Sequence, residues 1–169
     1  MDIVWEELLS GLPDGRRLTH VLIRLVAATV LGAIIGAQRQ RAGKPAGLRT
    51  HMLVMTGTTV FVIACSGVGM ANDALSRVIQ GVVTGIGFIG AGSILKLESV
   101  KPEGERHIQG LTTAAGVWMT AAVGVAVGLG SLGVAILGTV FAVLILSLAK
   151  RFEPRIGNAR ARQSEHPEG

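Results

Sequence analysis

The stretch Gly81-Val-Val-Thr-Gly85-Ile-Gly87-Phe-Ile-Gly90-Ala-Gly92 decides how this chain is read. It contains Gly85-x-Gly87-x-x-Gly90, the letters of a dinucleotide-binding fingerprint. That fingerprint needs a strand before it and a helix that opens at the glycines. Here the letters fall inside one apolar run, Arg77–Leu97, long enough at 1.5 Å per residue to cross a bilayer. Five glycines in twelve residues leave one helix face nearly flat, so another backbone can come close, and Gly81 and Gly85 match a G-x-x-x-G helix-pairing face. A broken helix lining a polar site, as in some transporters, is the other reading of the same residues.

Working outward, the apolar runs repeat. Leu18–Ala37, His51–Met70, Arg77–Leu97, Ile108–Leu129 and Leu132–Ala149 are five candidate spans separated by polar loops. Only Gly128–Gly133 divides the last two, but fusing them gives one run of about 40 residues, too long for a single crossing. Composition agrees. Of the 169 residues, 49% are hydrophobic and only 16% charged, whereas a soluble domain carries about 25% charged residues. The expected fold is all-α: a polytopic helical membrane protein of about five transmembrane helices. The acidic start of the chain lacks the basic segment of a signal peptide. Val4, Trp5, Leu8 and Leu9 predict a short interfacial helix over Asp2–Ser10, ended by the Leu12-Pro13-Asp14-Gly15 turn. Residues 1–17 are thus an N-terminal interfacial segment, 18–149 the transmembrane domain, and 150–169 a basic tail expected to fray.

The net charge of +5 is a topology signal rather than a mark of nucleic-acid binding. Arg39, Arg41, Lys44 and Arg49, then Lys96, Lys101 and Arg106, then Lys150, Arg151, Arg155, Arg160 and Arg162 all fall on one side. The positive-inside rule puts that side in the cytoplasm, with the C-terminus there and the N-terminus outside.

Few residues carry chemistry. Arg24, Asp73 and Arg77 fall at similar depth near the outer ends of spans one and three and are expected to form an ion cluster. Ionisable groups in hydrocarbon pair or face wet cavities. Asp73 and Arg77 are also i,i+4 neighbours, which gives a local structural reason for the pair. On the cytoplasmic side, Gln38, Arg39, Gln40 and Arg41 lead to Arg49 and Thr50, a lipid-facing anchor in which Arg49-Thr50 caps and orients span two. Gly110, Thr112 and Thr113 open span four. Helix capping is the favoured role of the two hydroxyls, and anion binding the alternative. Cys65, alone in an apolar run, permits no internal disulfide and reads as a small packing residue. No nucleophile–base pair and no metal-ligand spacing is visible among the four His, so no cofactor and no metal site is expected.

Several of these motifs, in order, resemble the MgtC/SapB inner-membrane proteins: Arg24 with Gly32-x-x-x-Gly36-x-x-Arg39, then Ala46-Gly47-Leu48-Arg49-Thr50, Asp73-x-x-x-Arg77, Gly85-Ile-Gly87-Phe-Ile-Gly90-Ala-Gly92, and Gly110-Leu111-Thr112-Thr113-Ala114-Ala115 with Trp118. Together they cover roughly residues 20–130. The resemblance implies a non-enzymatic protein of the bacterial inner membrane, linked to growth in low magnesium and survival inside macrophages. Its implied partner is the F-type ATP synthase, and the glycine-rich helix faces themselves point to a homo-oligomer. Magnesium or small-ion transport is the alternative. Two departures bear on this. The family usually has Glu-Arg-Glu where this chain has Gln38-Arg39-Gln40, which removes two negative charges. The virulence-type members carry a soluble domain after the last span, and this chain resembles the short members instead.

Overall fold

The computed structural model describes Val4 and residues 15–67, 72–95 and 110–164, with side chains through Leu148. Every described element is a helix: α1 Gly15–Arg41, α2 Leu48–Gly67, α3 Asn72–Leu95, α4 Leu111–Gly128 and α5 Leu132–Ser164. The first four are long and apolar enough to cross a membrane, and α5 adds a 17-residue-or-shorter apolar stretch, Leu132–Leu148. The expected all-α membrane fold is therefore present. Apart from Val4, the expected interfacial helix over Asp2–Ser10 lies outside the described residues. The tail differs from expectation, because the helix of α5 continues past Ala149 as far as Ser164.

Helix α4 is the centre of the bundle and touches each of the other four, whereas α3 touches only α2 and α4. Half of α4's apolar window is buried, against 11% for α3. One core cluster joins Ala28 and Ile35 of α1, Met55 of α2, Val123 and Val127 of α4, and Ala135 and Ala142 of α5. A smaller one joins Ala46, Ile86, Val117 and Ala121. The outside is apolar too. Leu53, Phe61, Phe88, Val134 and Ile145 are all exposed. In water such a surface would drive aggregation, whereas in a bilayer it is the solvated face.

Glycine decides where backbones meet. A Cβ on Gly32 would lie 2.8 Å from the His51 carbonyl oxygen, and one on Gly36 would lie 2.7 Å from Leu48 Cα. A Cβ on Gly124 would lie 2.8 Å from the Met55 carbonyl oxygen, and one on Gly128 would lie 2.6 Å from Val62 Cβ. Two G-x-x-x-G pairs therefore clamp α2 from either side, one on α1 and one on α4. The glycine-rich α3 behaves differently from the close-packing expectation. Only Gly90 meets a neighbour, Ala114 Cβ at 3.4 Å, and Gly81, Gly85, Gly87 and Gly92 face open space. The α4–α5 boundary is a tight turn. Gly130 has φ 83°, and the Gly130 and Ser131 amides bond back to the Val127 and Ala126 carbonyls, a glycine-terminated helix end.

Candidate functional site

The contact between α2 and α4 is a seam of polar side chains and glycines that runs the length of both helices. On α4 the inward positions are Thr113, Gly116, Thr120, Gly124 and Gly128, spaced three or four apart, and all are buried. On α2 they are His51, Met55, Thr59 and Val62, likewise buried. This spacing is one helical face on each partner.

Polar contacts recur along the seam. Arg39, near the end of α1 and only 2% exposed, donates from Nη2 to Thr113 Oγ1 at 2.7 Å. His51 Nδ1 lies 2.6 Å from Thr120 Oγ1. Thr120 spends its own proton on the Gly116 carbonyl at 2.8 Å. The Thr120 oxygen is therefore the acceptor, and His51 carries its proton on Nδ1. Further along, Thr59 donates to the Gly124 carbonyl at 3.0 Å, and Thr29 and Thr56 share a bond at 3.2 Å between α1 and α2. At the far end, Arg24 Nη1 donates to the Gly128 carbonyl at 2.8 Å. Each bond satisfies a group that lipid cannot. Among the described residues, three buried atoms have no hydrogen-bond partner: Gln38 Oε1, Arg39 Nε and His51 Nε2.

The structure separates some expected site residues and joins others. Arg24 does not cluster with Asp73 and Arg77, because α1 and α3 make no contact across the bundle. Arg24 instead places its cation on the carbonyl end of α4, where the helix dipole is negative. Asp73 and Arg77 are exposed in the first turns of α3, and Asp73 suits that helix's positive end. The expected capping by Thr112 and Thr113 is replaced by Gly110, a left-handed N-cap (φ 102°) with no side-chain cap bond. Thr112 is exposed, and Thr113 serves Arg39. Capping of α2 falls to Gln40, whose Oε1 accepts the Leu48 amide at 3.3 Å, while Arg49 is exposed and Thr50 half-buried. Gly124 and Gly128 are spent on the contact with α2. Cys65 is free and half-buried. Arg39 and Thr113 were predicted separately, and the fold makes them one contact. His51, Thr59 and Thr120 were missed. The Thr/Gly repeat at three- and four-residue spacing along α4 was the signal that could have found them.

A second feature is an apolar groove between α2 and α3 of about 650 Å³, lined by Leu53, Gly57 and Phe61 on one side and Gly81, Gly85 and Ile89 on the other. Among the described residues, no group of three His, Cys, Asp or Glu is placed to hold a metal ion.

A helical bundle that, among the described residues, buries one arginine and joins its helices through threonine-bonded seams beside an apolar groove defines a polytopic helical membrane protein. The chain belongs to the MgtC family, whose model matches residues 25–155. SrpB of Synechococcus elongatus is 45% identical over 84% of this chain and 81% of its own length. YhiD of Escherichia coli K12, whose name proposes magnesium transport, is 41% identical over 81% of this chain. MgtC of Salmonella typhimurium LT2 is 39% identical over 80% of it. The match spans 64% of YhiD and 54% of that MgtC. No solved structure matches the chain.

Proposed function

We propose that this protein is a non-enzymatic regulator of the bacterial inner membrane that acts by seating another transmembrane helix in the α2–α3 groove. The observation that carries the reading is the contrast among glycines. Those of α1 and α4 at the α2 contacts are engaged, while Gly81 and Gly85 open onto the groove. Glycine costs a helix about 1 kcal/mol relative to alanine, and inside this bundle Gly81 and Gly85 return no contact for it. A second helix backbone would use that flat face. The F-type ATP synthase is the partner the family resemblance implies, and a second copy of this chain fits the same groove. The setting is adaptation to low magnesium, with the N-terminus outside and the basic loops in the cytoplasm.

The test uses single-cysteine variants at Gly81 and Gly85 on a Cys65→Ser background, crosslinked in native membranes. A specific adduct with an ATP synthase subunit or with a second copy supports the reading, and uncrosslinked monomer alone sinks it. Complementation of a deletion strain in limiting magnesium then asks whether filling the groove abolishes the growth role.

Magnesium transport is the second reading, favoured by the name YhiD carries. The seam speaks against a path through one protomer, because backbone approaches at Gly124 and Gly128 close it. Uptake by reconstituted vesicles above that of empty ones would revive it.

A further inference from the structure

We infer that Arg39 and the first turn of α4 form a binding site for a phosphate group at the membrane edge. Among the described side chains, Arg39 is the only Lys, Arg, Asp or Glu that is buried. A cation removed from water without an anion is costly, far more so than an unpaired neutral group. Asp73 is the only carboxylate among the described side chains, and it lies at the wrong end of the bundle. Arg39 sits beside the start of α2, while Asp73 follows the end of α2, twenty residues or about 30 Å away.

What Arg39 does reach makes the imbalance worse. Its Nη2 is bonded to Thr113, the third residue of α4. A helix start carries partial positive charge and free N–H groups. The N-cap here is Gly110, which has no side chain to accept from them. A guanidinium with a buried, unpartnered Nε thus meets a helix N-terminus whose N-cap, Gly110, makes no side-chain cap bond. Donors converge, and beyond the Thr113 hydroxyl no acceptor among the described residues pairs with the guanidinium. A phosphate group supplies several acceptor oxygens and the missing negative charge, and both donor types suit it. Gln38, the preceding residue of α1, has a buried Oε1 without a hydrogen-bond partner and is an amide rather than a carboxylate, so it adds no negative charge at this end of the helix. The site lies where the apolar run of α1 ends, the depth of lipid headgroups. A headgroup phosphate and free phosphate share this chemistry.

The experiment is the thermal midpoint of the full chain, read by tryptophan fluorescence, with two phosphate sources. One arm compares nanodiscs of phosphatidylglycerol with nanodiscs of phosphatidylcholine in phosphate-free buffer. The other adds inorganic phosphate to delipidated protein in uncharged detergent, against chloride at equal ionic strength. The expected result is a rise on the order of 5 °C in at least one arm. A rise with phosphatidylglycerol alone assigns a lipid headgroup, and a rise with inorganic phosphate assigns the free ion. Arg39→Gln should lose the response, and the exposed Lys44→Gln should keep it. Should Arg39→Gln fail to fold, Gln38→Glu serves in its place, because a carboxylate beside Arg39 should blunt the response at least twofold. No rise in either arm overturns the site, including the case in which a carboxylate of this same chain already fills it. An equal response in Gln38→Glu and wild type overturns it too, as does loss of the response in Lys44→Gln.

Discussion

The two sides of α2 are built from similar residues and do opposite things. Toward α1 and α4, glycines let backbones approach until an added methyl group would overlap a carbonyl. Toward α3, glycines open onto an empty apolar groove. A glycine pattern therefore says that some backbone is meant to come close, but not whether that backbone belongs to the same chain. The partner is decided by what the rest of each face carries. The α4 face alternates glycine with threonine, whose hydroxyls bond across the contact: Thr113 to Arg39 and Thr120 to His51. The α3 face alternates glycine with Val and Ile, which have nothing to bond and are at home in lipid.

The comparison breaks most sharply at Gly124. Gly124→Leu would drive a side chain into the Met55 carbonyl and Thr58, both fixed parts of α2. The expected loss is about 3 kcal/mol or more, with a thermal midpoint well below that of wild type in detergent. A midpoint unchanged by Gly124→Leu would mean that the α2–α4 seam is not the tight contact described.

Thr113→Val sharpens the polar half of the contrast. It keeps the shape and removes the acceptor of the buried Arg39 donor, at an expected cost of about 2 kcal/mol. Arg39→Met should cost less on the Thr113→Val background than on wild type, because the cation has already lost its partner. A double-mutant cycle reads this directly, and additive losses would show that the two side chains are uncoupled.

Arg24→Gln removes the cation at the carbonyl end of α4. The expected loss is about 1 kcal/mol, since a helix-terminus charge is worth roughly that when partly buried. If Arg24 instead belonged to an ion cluster with Asp73, a charge swap between the two would restore stability. The separation of α1 from α3 predicts that it will not.

The helices were legible because spans in lipid must be long and continuous: in the first, Leu18–Ala37 became Gly15–Arg41, whereas the end of the last moved from Ala149 to Ser164 because a helix that leaves the apolar layer no longer needs an apolar sequence. Site geometry was far less legible. Hydropathy says how deep a residue lies but not around which side of a helix its neighbour stands. Arg24, Asp73 and Arg77 share a depth and were grouped on that ground, yet α2 and α4 lie between α1 and α3. His51 stands at the start of an apolar run, where hydropathy says nothing of its burial. Burial comes from Gly32 and Gly116, on other helices, which leave room for its backbone and ring. Arg39 and Thr113 are 74 residues apart, and no spacing rule links them.

The smallest effect on stability is expected at Gly85, and it is the most informative. A Cβ there meets nothing within 4 Å, so Gly85→Leu should fold as wild type does, within about 0.5 kcal/mol, and the better helix former could even stabilise the monomer. The same side chain would fill the groove between Leu53 and Phe61 on α2 and the α3 face. A folded, membrane-inserted Gly85→Leu that no longer supports growth in limiting magnesium would separate function from stability on one residue, which Gly124→Leu cannot do. Unimpaired growth would mean that the open glycines of α3 face only lipid, and that the function belongs to the buried side of α2 or to the loops.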